Sequence, residues 1–106
     1  AAPAGERAAS LRITAKASDA DGASALLAEE ERRVRDVLGS YIFGIDGETM
    51  ESVVLDLLRE RGLTLAIAEV TSGGIASQRL TALDGEGRVF RGGLVAHDGA
   101  TRARVL

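Results

Sequence analysis

Leu63-Thr64-Leu65-Ala66-Ile67-Ala68-Glu69-Val70, followed by Thr71-Ser72-Gly73-Gly74, decides the fold of this chain. The first part is nearly all apolar, the pattern of a parallel strand buried on both faces. The Gly-rich turn leads into a helical stretch with Ile75, Ala76, Leu80 and Leu83 on one side. Asp84-Gly85-Glu86-Gly87 reads as a loop and Val89 to Ala96 as a second buried-type strand, after which Asp98 caps a last helix reaching Leu106. Residues 63–96 are thus predicted to form one strand–helix–strand unit with parallel strands and a right-handed crossover.

The preceding stretch reads in the same terms. Ser40 to Gly44 is predicted as a short strand and Ile45-Asp46-Gly47 as a turn. Thr49 caps a helix whose apolar set, Met50, Val53, Val54, Leu57 and Leu58, keeps the spacing i, i+3, i+4, i+7, i+8, and Gly62 ends it. Further upstream, Ala1 to Ala9 read as a lead-in, and Leu11 to Ala17 alternate apolar and polar like a strand with one buried face. A helix from Ala23 to Leu38, capped by Asp21 or Ser24, places Leu26, Leu27, Val34, Val37 and Leu38 on one face and pairs Glu29 with Arg33 on the other. The fold class is therefore α/β: an α+β N-terminal piece followed by the strand–helix–strand unit. Two parallel strands with helices on one side leave the other face and both edges open. The expectation is that N-terminal strands complete the sheet, or that the chain is a fragment or a homo-oligomer.

Composition narrows the chemistry. The 106 residues carry 13 Lys and Arg against 16 Asp and Glu, a net charge of −3, and aromatics are only 3%. An acidic surface repels phosphate backbones, and the scarcity of aromatics excludes a base-stacking platform, so nucleic acid is not the expected partner. There is no Cys, so disulfides, thiolate metal sites and Cys nucleophiles are excluded. With one His (His97) and one Lys (Lys16), a Ser-His-Asp triad must pass through the first and a Ser-Lys dyad through the second. No metal and no cofactor is expected. No apolar run is long enough to span a bilayer and the N-terminus lacks signal-peptide order, which makes a cytoplasmic location the default. The sole Met, Met50, suggests a chain processed or cut from a longer one.

Strand, Gly-rich turn and helix together form a geometry that binds anions, because free N–H groups and the helix dipole converge there. Thr71, Ser72, Gly73 and Gly74 are the candidate binding residues; the same glycines equally suit a tight turn for helix packing. Glu69 either holds a ligand hydroxyl, acts as a base, or caps nearby N–H groups. His97 is either a ligand group at the strand end or an exposed loop histidine. Gly44-Ile45-Asp46-Gly47 has the Gly-x-x-Gly spacing of KH nucleic-acid loops, but its acidic residue favours a plain turn.

Several separated stretches resemble the CinA family (competence/damage-inducible protein A). They are Leu38 to Gly44, Gly47-Glu48-Thr49-Met50-Glu51 and Leu57 to Ala66, with Leu11 to Ala17 matching the family's KH-like middle domain. The family's Ala-Glu-Ser-Cys-Thr-Gly-Gly reads Ala68-Glu69-Val70-Thr71-Ser72-Gly73-Gly74, and its Val-Phe-x-Gly-Gly-x-Val-x-Tyr reads Val89 to His97. The resemblance implies a KH-like piece at 1–47 and, at 48–106, the N-terminal part of a three-layer nicotinamide-nucleotide amidase domain. It also implies hydrolysis of the carboxamide of nicotinamide mononucleotide in NAD salvage, by a Ser nucleophile aided by Tyr and Lys. Those three positions are here Val70, His97 and Arg102. Valine offers no nucleophile, and arginine keeps its proton at any working pH and is no general base. The family's Pro-Gly-Ser-Ser loop reads Asp84-Gly85-Glu86-Gly87, placing carboxylates near the expected phosphate site. The resemblance thus implies an impaired amidase-like module that keeps a nucleotide-phosphate site at Glu69 and Thr71 to Gly74. The alternatives are a non-catalytic scaffold and an amidase with relocated groups, Thr71 or Ser72 being the displaced nucleophiles.

Overall fold

The computed structural model describes residues 8–106 and divides the chain into two units, Ala1–Ile42 and Phe43–Leu106. Each is described by itself, and the predicted lead-in lies largely outside the described residues.

In the first unit, helix α1 (Ala20–Leu38) starts one turn earlier than its apolar pattern predicts. Asp19, not Asp21 or Ser24, is the N-cap, and its carboxylate accepts from the Gly22 N–H at 2.7 Å. A cap depends on one side chain meeting one N–H, so apolar periodicity does not locate it. The predicted Glu29–Arg33 pair forms at 2.7 Å, beside Arg32–Asp36 and Arg35–Glu31 along the same helix. Leu11 to Ala17 has no regular secondary structure, and Ile13 and Ala15 are half-buried while Arg12, Thr14 and Lys16 are exposed. The alternation is real, but among the described residues the segment pairs with no strand, so it is not the predicted β-strand. Among the described residues of the first unit, therefore, no strand forms. Ser40 to Gly44 also departs from expectation. A short 3-10 turn, η1 (Gly39–Tyr41), is followed by Ile42 in extended backbone, with no strand assigned over residues 40–44.

The second unit follows its sequence pattern closely. Thr49 and Ser52 close a reciprocal capping box at the start of α2 (Met50–Glu60). Strands β1 (Leu65–Glu69) and β2 (Phe90–Val95) pair in parallel, joined by α3 (Ile75–Leu83), and α4 (Gly99–Val105) follows Asp98 as predicted. Register runs from Leu65 opposite Phe90 to Glu69 opposite Val95, with a bulge after Leu65. The fold is thus mixed α/β: four α-helices and a two-stranded parallel sheet among the described residues.

Leu65, Ile67 and Glu69 point to the face that carries the core, where Leu55 of α2, Leu80 of α3, Val89 and Phe90 are buried together with Leu58 against them. An Arg79–Glu51 ion pair ties α3 to α2. On the opposite face Ala66, Ala68 and Leu94 are exposed. Among the described residues no helix is long and apolar enough to cross a membrane.

Candidate functional site

The C-terminal ends of β1 and β2 bring together the residues that the sequence singles out. The Ala96 N–H donates to the Glu69 carbonyl at 2.9 Å, so Val70 and Thr71 leave the sheet beside His97. Gly73 (φ 66°) and Gly74 (φ 100°) then take left-handed backbone that side-chain-bearing residues rarely adopt, and the chain reverses directly into α3. Val70 is half-buried, whereas Thr71, Ser72, Gly73 and His97 are exposed.

Glu69 is the centre of this end. Its carboxylate is buried, and every partner must donate to it. Ser72 Oγ (2.5 Å) and the Ala76 N–H (2.9 Å) reach one oxygen; the Ser77 N–H (2.9 Å) and Ser77 Oγ (2.5 Å) reach the other. The hydroxyls of Ser72 and Ser77, with the two N–H groups, hold the Glu69 carboxyl down from the ordinary 4.5 to about 2, against a smaller opposing effect of burial. Such a group is a poor proton acceptor near neutral pH. It acts as an internal cap that neutralises the start of α3 from beneath the turn.

Two first-turn N–H groups of α3 are therefore taken. Among the described residues the N–H groups of Gly73, Gly74 and Ile75 have no protein acceptor, and they form the part of the turn open to an anion. Ser72 has spent its proton on Glu69 and faces outward as an acceptor.

Gly93 lies under Ser77. A methyl group at Gly93 would overlap the Ser77 hydroxyl outright and stand 3.1 Å from Ser77 Cβ, so only glycine lets α3 approach β2 this closely. Sequence reading passed over both residues, although two adjacent glycines inside an otherwise apolar strand signal close backbone approach.

The remaining predicted positions fall as follows. Arg102 is exposed in the last turn of α4, which Asp98 caps by accepting from the Ala100 and Thr101 N–H groups and the Thr101 hydroxyl. The Thr101 hydroxyl, with those N–H groups, lowers the Asp98 carboxyl. Asp84-Gly85-Glu86-Gly87 is at the far end of α3 from the glycine turn, about 13 Å away along a nine-residue helix, so its carboxylates are not beside the expected phosphate site. Asp84 itself turns inward. It is buried and accepts from the Phe90 (2.6 Å) and Val89 (2.8 Å) N–H groups, which, with more distant Arg59, lower its carboxyl. Helix α3 is thus fastened to the sheet at both ends by a buried carboxylate. Among the described residues no group of three or more acidic or histidine side chains is arranged to hold a metal ion.

Comparison with known proteins places this geometry in a family. The CinA C-terminal domain matches residues 47–106, and the KH domain of damage-inducible protein CinA matches residues 1–44. A putative competence-damage inducible protein of Moorella thermoacetica is 41% identical over 96 residues, 91% of this chain and 23% of its own length. A CinA-like protein of Acaryochloris marina is 40% identical and one of Kosmotoga olearia 35%, with the same coverage of each chain. The chain spans about a quarter of the length of the curated relatives it matches.

Proposed function

The chain belongs to the CinA family, and from that premise we propose that it is an amidase-like module that binds a nucleotide phosphate and does not turn over the amide. It comprises a KH-like piece at 1–47 and the first part of the amidase-type domain at 48–106, and it acts in the cytoplasm. One observation carries the loss of turnover. Val70, at the position of the family's serine, leaves β1 beside His97 with no nucleophilic atom. The neighbouring carboxylate does not replace the missing base, because Glu69 is held at about 2 and all its partners donate to it. Arg102 stands at the position of the family's lysine, and a guanidinium does not serve as a general base. What persists is the turn, whose Gly73, Gly74 and Ile75 N–H groups suit a phosphate, with Thr71 as a further donor.

The test is ammonia release from nicotinamide mononucleotide by the chain and by Val70→Ser plus Arg102→Lys, together with the melting temperature in its presence. We expect no ammonia from the unaltered chain and a rise in melting temperature with the nucleotide. Turnover by the unaltered chain would point instead to relocated groups, with Ser72 or Thr71 as nucleophile. A second reading, a non-catalytic scaffold that assembles as a homo-oligomer, draws on the exposed Ala66, Ala68 and Leu94 of the open sheet face. No thermal shift at millimolar nucleotide, with a larger particle by light scattering, favours it.

A further inference from the structure

The chain contains Asp-Gly at four places: Asp21-Gly22, Asp46-Gly47, Asp84-Gly85 and Asp98-Gly99. At such a pair the carboxyl carbon of the aspartate lies within reach of the next backbone nitrogen, and glycine has no side chain to obstruct the attack. Whether the reaction proceeds depends on two conditions. The carboxylate and the N–H must both be uncommitted, and the backbone must be able to leave its conformation.

Three of the pairs fail these conditions. The Gly22 N–H donates to Asp19 inside the first turn of α1. Asp84 is buried, with the Val89 and Phe90 N–H groups on its carboxylate. Asp98 is occupied by the Ala100 and Thr101 N–H groups and the Thr101 hydroxyl, and Gly99 begins α4.

Asp46-Gly47 differs from all three in its uncommitted groups. Both residues are exposed, and neither the Asp46 carboxylate nor the Gly47 N–H has a protein partner among the described residues. Asp46 has φ 52° and is the one non-glycine residue with positive φ among those described, so its backbone is held in a region that L-residues avoid. Among the described residues the exposed turn around it is held by two hydrogen bonds, both between Ile45 and Glu48, so little opposes its leaving this conformation. The Ile45 N–H donates to Glu48 Oε2 at 2.8 Å, and the Glu48 N–H donates to the Ile45 carbonyl at 3.0 Å.

We propose that Asp46-Gly47 is a site of spontaneous backbone isomerisation to isoaspartate, selected from the four pairs by its unpartnered groups and its strained turn. The Gly47 nitrogen bonds to Asp46 Cγ and loses its proton; one carboxyl oxygen leaves as water with that proton and one taken from solvent. Water then adds to the ring carbonyl derived from the Asp46 main chain and breaks its bond to the Gly47 nitrogen. The peptide link now runs through Cγ, an α-carboxylate is free, and mass is unchanged. The extra methylene carbon in the main chain releases the left-handed constraint.

The experiment incubates the whole chain at neutral pH and physiological temperature, folded and in urea. Isoaspartate is then read in each of the four peptides by methyl transfer with an isoaspartyl methyltransferase and by electron-transfer fragmentation. In the folded chain the Asp46 peptide is expected to accumulate isoaspartate severalfold faster than the other three, and in urea the rates converge. Gly47→Ala should slow it severalfold while the fold persists by circular dichroism, since a Cβ at Gly47 meets nothing within 4 Å. A folded chain in which another pair reacts as fast, or in which Asp46 reacts only in urea, overturns the proposal.

Discussion

Gly93→Ala tests the packing that positions the turn. The added methyl overlaps the Ser77 hydroxyl and lies 3.1 Å from Ser77 Cβ and 3.5 Å from Ile67 Cγ1. Rotating the hydroxyl away would break its 2.5 Å bond to Glu69 and still leave the two Cβ atoms too close. Helix α3 must therefore move outward by a few tenths of an ångström, and overpacking of this kind costs about 2–3 kcal/mol. For a unit of this size that lowers the melting temperature by about 10–20 °C. Ser77→Ala removes the overlapping oxygen, so Gly93→Ala made in the Ser77→Ala background should cost less than in the parent, with a coupling of about 1 kcal/mol. Thermal melts of the parent, both single variants and the double variant, followed by circular dichroism, measure this. The reasoning fails if Gly93→Ala melts with the parent, or if the two changes add to within about 0.5 kcal/mol.

Stability should fall in acid. Glu69, Asp84 and Asp98 all have carboxyl groups lowered in the folded chain, so their ionised forms favour the native state. That contribution is complete above the unfolded value and is lost as pH falls through the folded one. For Glu69 the melting temperature should hold above 4.5 and decline towards about 2, and Glu69→Gln should flatten the decline. Leu55→Ala, which empties a side chain only 2% exposed, should destabilise by about 2–4 kcal/mol in urea titration. Thr49→Ala breaks the capping box and should cost about 1 kcal/mol, most of it regained by Thr49→Ser.

The parts of the fold legible in the sequence are those set by one-dimensional patterns. Met50 to Leu58 kept helical spacing, Thr49 and Asp98 stood before helices, and the two apolar runs could pair only in parallel across α3. Leu11 to Ala17 kept the alternation of a strand, yet a strand also needs a neighbour to accept its hydrogen bonds, and sequence pattern does not supply one. The candidate site was legible as a place more than as a geometry. That Glu69 spans seven and eight residues to reach Ala76 and Ser77, and that Asp84 turns inward to Val89 and Phe90, depends on a reversal of chain direction with no periodic signature.

The two carboxylates that fasten α3 have a consequence for how such a chain drifts over evolutionary time. Neither belongs to the trio of positions 70, 97 and 102, and the core around Leu55, Leu80 and Phe90 does not include them either. The bonds that fasten α3 to the sheet therefore involve none of those three side chains. A lineage can then exchange those side chains one at a time without breaking a bond that anchors the helix, and the domain outlasts the residues displayed at its edge.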